Sequence, residues 1–222
     1  MARLTRAESQ ARTRERLIAS GRIAFARTGY VSASIEEIAE GAGFSKGAFY
    51  SNFATKEALA LEIARFDTDE VVQATVTAID HAKGNPDRMM ANVAALARSL
   101  SENPDRYILR AELMLHAARS PGFAAAYQEQ YIRQHQQITE LIATLLYQLN
   151  VPPLSAPSVL ASAVMALAQG HALLRPVGDP SSFAETLRTF LDTAVHRARL
   201  AAEVDKSLST GQPRASSSEQ PA

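Results

Sequence analysis

The chain has 222 residues, of which 46% are hydrophobic, and its equal numbers of basic and acidic side chains give a formal net charge of zero. This length can bury the core of one or two domains, and the absence of cysteine excludes disulfides, thiolate metal sites and cysteine redox sensing. We find no apolar run of the ~18 residues that a membrane span needs and no hydrophobic signal region, so we expect a cytoplasmic protein without membrane contact.

The charge is unevenly distributed along the chain. Residues 1–30 contain seven arginines and two glutamates, a net charge of +5, and the remaining residues carry the compensating −5. A basic end on an acidic chain favours a module that faces phosphate groups, and a solvated arginine face on the first helix is the alternative. That helix is predicted to begin between Thr5 and Arg12, because Thr5 and Glu8 can form a capping box, and to end near Gly29.

Residues 34–56 predict two short helices around a tight turn. Ser34 can cap the first of them, and Gly41 and Gly43 bracket the expected break, since glycine adopts left-handed backbone angles readily. The second helix is predicted over residues 45–52. Together with the first helix, this pattern indicates a three-helix head that contains a DNA-reading helix-turn-helix.

Several side chains of this segment are suited to contact DNA. The N-terminal part of a recognition helix reaches base edges in the major groove, where Lys46 can donate to guanine or phosphate and the Ala48 methyl can meet a thymine methyl. Gly47 allows close approach of the backbone, and Tyr50 can bind the sugar-phosphate chain. An ordinary helical hairpin with exposed polar residues is the alternative. The predicted DNA-binding residues are Ser34, Ser45, Lys46, Gly47, Ala48, Tyr50, Asn52 and Lys56.

Residues 44–59, with the sequence FSKGAFYSNFATKEAL, resemble the DNA-binding signature of the TetR (tetracycline repressor) family of transcriptional regulators. The resemblance is specific over residues 12–63 and is architectural beyond them. The family commonly has His or Tyr where Asn52 stands, so no base preference is carried over from that position. The resemblance implies DNA contacts from Ser45, Lys46, Gly47, Tyr50 and Lys56.

A long helix links the head to a second domain. It is predicted to begin at a Thr55 cap and to end before Gly84. Further helices follow, and we find no convincing strand, so the expected fold is all-α, with nine helices. The head occupies residues 1–54, and a ligand-binding and dimerisation bundle of about six helices occupies residues 55–204. Residues 205–222 contain few apolar side chains, and we expect a disordered tail there.

The second domain combines adaptable, aromatic and polar side chains on helices that should converge. Such a lining suits a mostly apolar ligand cavity with a few orienting polar groups. Glu112 is a candidate for a buried carboxylate that faces a cationic ligand, and it can equally pair with Arg110 or Arg119 or face water. For each candidate, core packing or solvent exposure is the alternative. The candidate ligand-binding residues are Met89, Met90, Glu112, Met114, His116, Phe123, Tyr127, Tyr131 and Gln169.

Helices 8 and 9 carry apolar faces that predict a two-fold homodimer. A DNA reader of this type needs two heads to match two half-sites one helical turn apart, and a self-complementary helix pair can join them. The TetR resemblance implies the same arrangement. The residues expected at this interface are Leu160, Val164, Leu167, His171, Leu187, Phe190 and Leu191.

The sequence contains no catalytic constellation. Its five histidines lack metal-ligand spacing, and no glycine-rich loop or nucleophile elbow is present, so we expect no metal, no cofactor and no enzymatic activity. We interpret the chain as a homodimeric regulator that binds a palindromic double-stranded DNA operator. We favour a repressor that a small apolar or aromatic inducer releases from DNA. An activator or a partner-controlled regulator stays open, and an all-helical enzyme or a structural scaffold are rivals from other classes.

Overall fold

The structure is a computed structural model that describes residues 5–102, 105–152, 155–174, 177 and 183–210. Within these ranges it contains nine helices and no strand, so the all-α fold predicted from the sequence is confirmed. The helices are α1 (Arg6–Ser32), α2 (Ile35–Gly41), α3 (Lys46–Tyr50), α4 (Lys56–Asp80), α5 (Pro86–Glu102), α6 (Asp105–Arg119), α7 (Pro121–Gln148), α8 (Pro157–Leu174) and α9 (Phe183–Thr210).

Helix α1 begins at its predicted cap and is interrupted near its predicted end. The Glu8 N–H donates to Thr5 Oγ1 at 3.2 Å, and the Thr5 N–H donates to Glu8 Oε2 at 2.7 Å, which completes the capping box. Gly29 then takes φ 79° and ψ 161°, and the helix resumes for one turn to Ser32. A Cβ at Gly29 would lie 2.8 Å from Glu112 Oε1, so this glycine also lets α1 approach α6 closely.

The head has an apolar core that extends beyond its own three helices. Buried side chains from α1, α2 and α3 pack against the first half of α4, and the same cluster continues into α6 and α7. The predicted domain boundary after residue 54 therefore separates residues that share one core. Members of this cluster include Leu17, Ile38, Phe49, Leu59, Ile63, Leu109, Leu113 and Phe123.

A second apolar cluster joins the end of α4 with α5, α7, α8 and α9. Ile79 and Met89 are almost completely buried in it, and Ile142 and Leu145 of α7 pack beside them. Helices α4 and α7 contribute to both clusters, so each runs from the head to the far end of the second domain. Movement of either helix would displace side chains in both cores, because packed cores have little free volume.

Two helix ends differ from their predicted positions. Helix α3 ends at Tyr50, before the predicted end at residue 52. Helix α9 continues through residues 205–210, which the sequence assigned to a disordered tail. Extending an existing helix adds one hydrogen bond for each residue fixed, so a weakly apolar segment can prolong it. The rest of the predicted tail, residues 211–222, lies outside the described residues.

Helix α8 meets the length and mean hydropathy of a membrane span. Its 18 residues have a mean hydropathy of 1.3, and 17% of them are buried within the chain. Uncharged polar residues interrupt its apolar run, but no charged residue lowers its mean hydropathy. One such helix is weak evidence for a membrane span, since core helices meet the same length and composition. Exposed apolar surface of this kind is typical of interaction sites.

Glu62 of α4 is held by two arginines. Arg14 Nη2 of α1 donates to Glu62 Oε1 at 2.9 Å, and Arg65 Nε donates to Glu62 Oε2 at 3.0 Å. The Arg65 hydrogen bond is the main cause of a lowered pKa for Glu62, and Arg14 adds to it. Because the pKa of Glu62 is lower in the folded chain than in the unfolded chain, its ionised form stabilises the fold above the unfolded pKa. That contribution is lost as the pH falls through the folded pKa.

Glu62→Gln should lower the free energy of unfolding by about 1 kcal/mol at pH 7, and the melting temperature by ~2–4 °C. The difference from the wild type should begin to shrink as the pH falls below the unfolded pKa of about 4.3, and should be lost once the pH has passed the lower pKa of the folded carboxylate. Thermal unfolding followed by circular dichroism measures both quantities. Glu140→Gln, on the exposed surface of α7, is the control and should change little. A difference that does not depend on pH would contradict an ionic origin.

Candidate DNA interface and ligand cavity

The turn between α2 and α3 sets the direction of α3. Gly43 has φ 74°, and its N–H donates to the Glu40 carbonyl at 2.8 Å, which satisfies an acceptor at the end of α2. Gly41, the other glycine expected to bracket the break, is the last residue of α2. A Cβ there would lie 2.6 Å from Ser20 Oγ of α1, so close helix packing accounts for this glycine.

Serine side chains cap both helices of the motif. The Glu37 N–H donates to Ser34 Oγ at 3.1 Å, and the Ala48 N–H donates to Ser45 Oγ at 3.3 Å. Glu37 pairs its carboxylate with Arg27 of α1, so it does not return a side-chain hydrogen bond to the Ser34 backbone, and Ser34 caps α2 through its hydroxyl alone. Both serines are exposed, and their predicted contact with DNA stays a prediction.

Helix α3 buries one face and exposes the other. Phe49 is completely buried in the core of the head, whereas Lys46, Gly47 and Tyr50 are exposed and Ala48 is half-buried. The exposed residues begin at the N-terminal end of the helix, the end from which recognition helices reach base edges. The arrangement of the predicted DNA-binding residues is therefore suited to the major groove.

Lys46 has a partner that the sequence analysis missed. Its ammonium group pairs with the Glu36 carboxylate of α2, and this hydrogen bond raises the pKa of Lys46. Both side chains are exposed, and exposed ion pairs contribute little free energy. Lys46 can therefore exchange Glu36 for a phosphate or a guanine at small cost.

Asn52 and Lys56 are engaged within the protein. Asn52 Nδ2 donates to the Ala48 carbonyl at 2.8 Å, so its amide turns back toward α3. Lys56 Nζ donates to the carbonyls of Val31 at 3.1 Å and Ala33 at 2.8 Å, and burial lowers its pKa. An ammonium group has three donors, so one donor of Lys56 remains for a phosphate. Its first role is to hold the start of α4 against the chain that follows α1.

The basic N-terminal region is only partly available to phosphate groups. Arg14 and Arg16 lie over the rings of Phe53 and Phe44, and Arg22 Nη2 pairs with buried Asp67 at 2.8 Å. These arginines make contacts within the protein that stabilise the head. Neither of the two interpretations of the charge pattern, a phosphate-facing module or a solvated arginine face, included such contacts. The exposed arginines of α1 that have no partner among the described residues are Arg6 and Arg12; Arg3 lies outside the described residues.

A second candidate site is a cavity of about 320 Å³ enclosed by α4, α5, α6, α7, α8 and α9. Most of the described lining side chains are apolar, and both charged ones among them belong to α6. The lining includes Thr68, Val71, Leu96, Leu100, Arg106, Tyr107, Arg110, Met114, Tyr127, Tyr131, Gln134, Ile138, Leu141, Met165, Gln169 and Leu187.

The structure brings four of the candidate ligand-binding residues to this cavity, namely Met114, Tyr127, Tyr131 and Gln169. The others lie elsewhere. Met89 and Met90 pack in the second apolar cluster, and Phe123 packs in the core that the head shares with α6 and α7. Spacing along a helix could not distinguish the cavity wall from the adjacent cores, because both present apolar stripes.

Glu112 and His116 join α6 to the head and do not line the cavity. The Tyr30 backbone N–H donates to Glu112 Oε2, so the alternatives considered for Glu112, a cationic ligand, an arginine or water, are all replaced by a backbone donor. His116 Nε2 lies 2.8 Å from Glu57 Oε1, and its ring packs 5.3 Å from the ring of Tyr30. These contacts between α6 and the head could not be predicted from the sequence, because the partners are about 60 to 80 residues apart in the chain.

The residues expected at the dimer interface fall into two groups. Val164, Leu187 and Leu191 line the cavity. Three others line a groove of about 960 Å³ on the outer surface of α8 and α9, namely Leu160, Leu167 and Phe190. His171 is half-buried, with its ring 5.8 Å from the ring of Phe183.

The α2–α3 geometry and the exposed face of α3, carried by a helical second domain with a cavity, define a helix-turn-helix DNA-binding transcriptional regulator. The sequence-family model described as bacterial regulatory proteins, tetR family, matches residues 17–63. The family model described as tetracyclin repressor-like, C-terminal domain, matches residues 84–197, which are about half of the chain. The chain therefore belongs to the TetR family. Regulators of this family are transcription factors and not enzymes. The predicted membership of the TetR family and the prediction that the chain is not an enzyme are therefore confirmed.

Solved structures share this fold over almost their whole length. A protein from Rhodococcus sp. described as a TetR-family transcriptional regulator has a TM-score of 0.69 at 15% identity and covers 83% of this chain and 99% of its own. The regulator SCO7518 from Streptomyces coelicolor A3(2) has a TM-score of 0.60 at 26% identity, covering 82% and 98%. A regulator from Saccharomonospora viridis in complex with choline has a TM-score of 0.59 at 21% identity, covering 82% and 95%.

A curated relative matches over a shorter stretch. The HTH-type transcriptional regulator YerO of Bacillus subtilis (strain 168) is 43% identical over 53 residues, which are 24% of this chain and 18% of that protein.

Gly47→Ala should weaken DNA binding without weakening the fold. A Cβ at residue 47 meets only the Ser45 hydroxyl, at 3.7 Å, and alanine favours a helix over glycine by about 1 kcal/mol, so thermal stability should hold or rise. The same methyl would separate the α3 backbone from the bases, and we expect at least a roughly tenfold loss of affinity, about 1.4 kcal/mol. Fluorescence anisotropy on a duplex selected from random sequences by the wild-type protein measures the loss.

Gly122→Ala is the matched control for this experiment. Residue 122 lies in α7, and nothing is within 4 Å of a Cβ there, so the substitution gains similar helix stability away from the head. Its DNA affinity should equal that of the wild type. Equal affinity of the Gly47→Ala variant would contradict a close backbone approach.

Proposed function

We propose that the protein is a homodimeric repressor that binds a palindromic operator through two heads and is released by a small apolar or aromatic ligand bound in the cavity. The observation that carries this proposal is the position of α6, which lines the cavity and also contacts the head. Base contacts are assigned to Lys46, Gly47 and Ala48, and sugar-phosphate contacts to Tyr50. The other residues assigned to the DNA side are Ser34, Ser45, Asn52 and Lys56.

Helix α6 links the two sites through adjacent side chains. Met114 contributes to the cavity wall, and Glu112, two residues earlier, accepts the Tyr30 N–H of the head. His116, two residues later, contacts Glu57 in the first turn of α4. A ligand that displaces Met114 would therefore act on the helix that holds both the end of α1 and the start of α4.

A row of aromatic rings supports the same link. The ring centroid of Tyr127, in the cavity wall, lies 6.1 Å from that of Phe123. The centroid of the His116 ring lies 4.9 Å from that of Phe123 and 5.3 Å from that of Tyr30. Rings packed in this way change position together, because an interior at crystal-like density leaves few alternative arrangements. Movement of Tyr127 would be transmitted toward the head.

Induction by this route is a population shift between two dimer shapes. The ligand can move the equilibrium only by as much as its affinity differs between the DNA-bound shape and the released shape. The structure of the Saccharomonospora viridis regulator in complex with choline supports a small-molecule site within this fold.

The outer surface of α8 and α9 supports the dimer. Val159, Leu173 and Leu174 of α8 and Leu200 of α9 are each about half exposed, beside the groove lined in part by Phe190. Apolar surface of this extent favours an interaction partner. A second copy of the chain would cover it and would supply the second head. We assign the apolar face of α8 to this contact and not to a bilayer, in keeping with a cytoplasmic DNA-binding protein.

Leu167→Glu or Phe190→Glu should convert the dimer to a monomer. Each substitution places an unpaired charge in the groove, which costs about 3–5 kcal/mol once a partner buries it. Sedimentation velocity gives the oligomeric state, and circular dichroism confirms that the variant is folded. Ile23→Glu, at a side chain 67% exposed on α1, should stay dimeric. Folded dimers from both groove variants would assign the subunit contact to another surface.

Met114→Trp should abolish ligand-induced release while operator affinity stays within about twofold. The larger side chain occupies the cavity rim, and Met114 is 47% exposed, so overpacking strain should be small. The measurement is DNA release, by anisotropy, across a library of apolar and aromatic compounds. Leu115→Trp is the control, because Leu115 is 51% exposed and lies outside the cavity wall. Release that is equal in wild type and Met114→Trp would contradict the assigned cavity.

A further inference from the structure

The cavity wall carries positive charge without a compensating carboxylate. Among the described residues that line it, Arg106 and Arg110 are charged, and none is acidic. We propose that the ligand is an amphipathic carboxylate, whose anionic end is bound by Arg106 and Arg110 and whose apolar or aromatic body fills the rest of the cavity. The proposal rests on the function proposed above, which assigns the inducer to this cavity.

Arg110 is held in position and still has unused donor capacity. Its Nη2 donates to Thr68 Oγ1 at 2.6 Å and to the Ala64 carbonyl at 3.0 Å, so α4 fixes the guanidinium group. Its Nε is buried and has no hydrogen-bond partner within the described part of the chain. Burial lowers the pKa of Arg110, which reflects the cost of holding a cation in this environment. An anion in the cavity would remove that cost.

Arg106 has more buried donor atoms without a hydrogen-bond partner among the described residues than Arg110 has. Its Nε and Nη1 atoms are both buried and without a hydrogen-bond partner across the described ranges. It precedes Arg110 by four residues on α6, so the two side chains share one face of the helix. Two like charges on one face repel each other, and unpaired buried donors are rare in folded proteins. Such an arrangement indicates a missing acceptor.

Asp67 does not provide that acceptor. Its carboxylate is buried and pairs with Arg22 of α1 at 2.8 Å. Burial raises the pKa of Asp67 even though Arg22, Arg106 and Arg110 all act in the opposite direction. Three guanidinium groups act on Asp67, and the two carboxylates beside them, Asp67 and the more exposed Glu70, both pair with Arg22. A ligand carboxylate would restore the balance, and its two oxygens match the fork of N–H donors on arginine.

The remainder of the wall defines the body of the ligand. Leu96 and Leu100 of α5, Ile138 and Leu141 of α7, and Met165 of α8 offer only apolar contacts, which do not suit a sugar or an inorganic anion. Burial raises the pKa values of Tyr107 and Tyr127, so these phenols stay neutral in the wall. The single anionic group and the apolar body thus have separate binding regions.

A cationic ligand is disfavoured by the same wall. Glu112, the carboxylate considered for that role, accepts the Tyr30 N–H and lies outside the cavity lining. The Saccharomonospora viridis regulator was solved in complex with choline, a cation. The present cavity therefore has the opposite charge preference within a shared fold.

The test uses ligands that differ only in the charge of one end. Full-length protein without DNA is titrated with decanoate, decanamide and decyltrimethylammonium, and with 2-naphthoate and its amide, below any micelle concentration. Thermal unfolding and isothermal titration calorimetry report binding. We expect a carboxylate to bind at least ten times more tightly than its amide and the cation not to bind. Binding of the amides or the cation as tight as that of the carboxylates, or no binding of either carboxylate, would overturn the proposal.

Two variants test the role of Arg106. Arg106→Met removes two buried donor atoms, Nε and Nη1, that have no hydrogen-bond partner within the described residues, so the ligand-free protein should be at least as stable as the wild type. Carboxylate affinity should fall at least tenfold, and amide affinity should be unchanged. Arg106→Lys should restore part of the carboxylate affinity. Arg98→Met, on the exposed face of α5, is the control. If Arg106→Met does not fold, the wild-type ligand series and Arg106→Lys still decide the question.

DNA release is measured separately, so that the two proposals fail differently. Carboxylates that bind tightly but leave the operator complex intact would support the anionic cavity and contradict induction. Neutral ligands that release DNA, with no preference for carboxylates, would support induction and overturn the anionic cavity.

Discussion

The hydrogen bond from the Tyr30 backbone N–H to the Glu112 carboxylate joins the head to the second domain, and other contacts assemble around it. The left-handed conformation of Gly29 interrupts α1 and turns this N–H toward α6. A buried donor without an acceptor costs about 1–3 kcal/mol, so α6 cannot move away without a replacement. Lys56 lies 4.8 Å above the same Tyr30 ring, and the ring of His116 packs against it. The end of α1, the start of α4 and the middle of α6 thereby meet at one residue.

The hydrogen bond between Tyr30 and Glu112 lies where the core of the head continues into the second domain. The apolar cluster of the head includes Leu113 of α6 and Phe123 of α7, and both helices continue into the wall of the cavity. The cavity wall contains Arg106 and Arg110, whose buried Nε atoms have no hydrogen-bond partner among the described residues. Local rules for a stable interior are often broken at functional sites, and the rest of the fold must offset the cost. The departure from those rules occurs here on the helix that also contacts the head.

Features that depend on short-range chemistry were predictable from the sequence. The capping box of Thr5 and Glu8, the serine caps of α2 and α3 and the positive φ of Gly43 each involve residues only a few positions apart. The alternation of buried and exposed residues on α3 follows from helical periodicity, which also predicted the all-α fold. The exposed face of α3 could therefore be named before the structure, together with the family signature that contains it.

Features that depend on the angle between distant helices were decided only by the tertiary structure. Glu112 meets a backbone donor of the head, Lys56 meets two carbonyl groups, and Leu187 faces the cavity while Phe190 on the same helix lines the outer groove. A sequence assigns an apolar or charged residue to a stripe of its own helix, and that stripe has two or more possible neighbours. By itself, this sequence determined the helices, their caps and the DNA-reading motif, because those depend on local hydrogen bonds and periodicity. The packing of α6 between the head and the cavity, which depends on partners far apart in the chain, determined which side chains line the cavity, which contact the head and which are buried in the two cores.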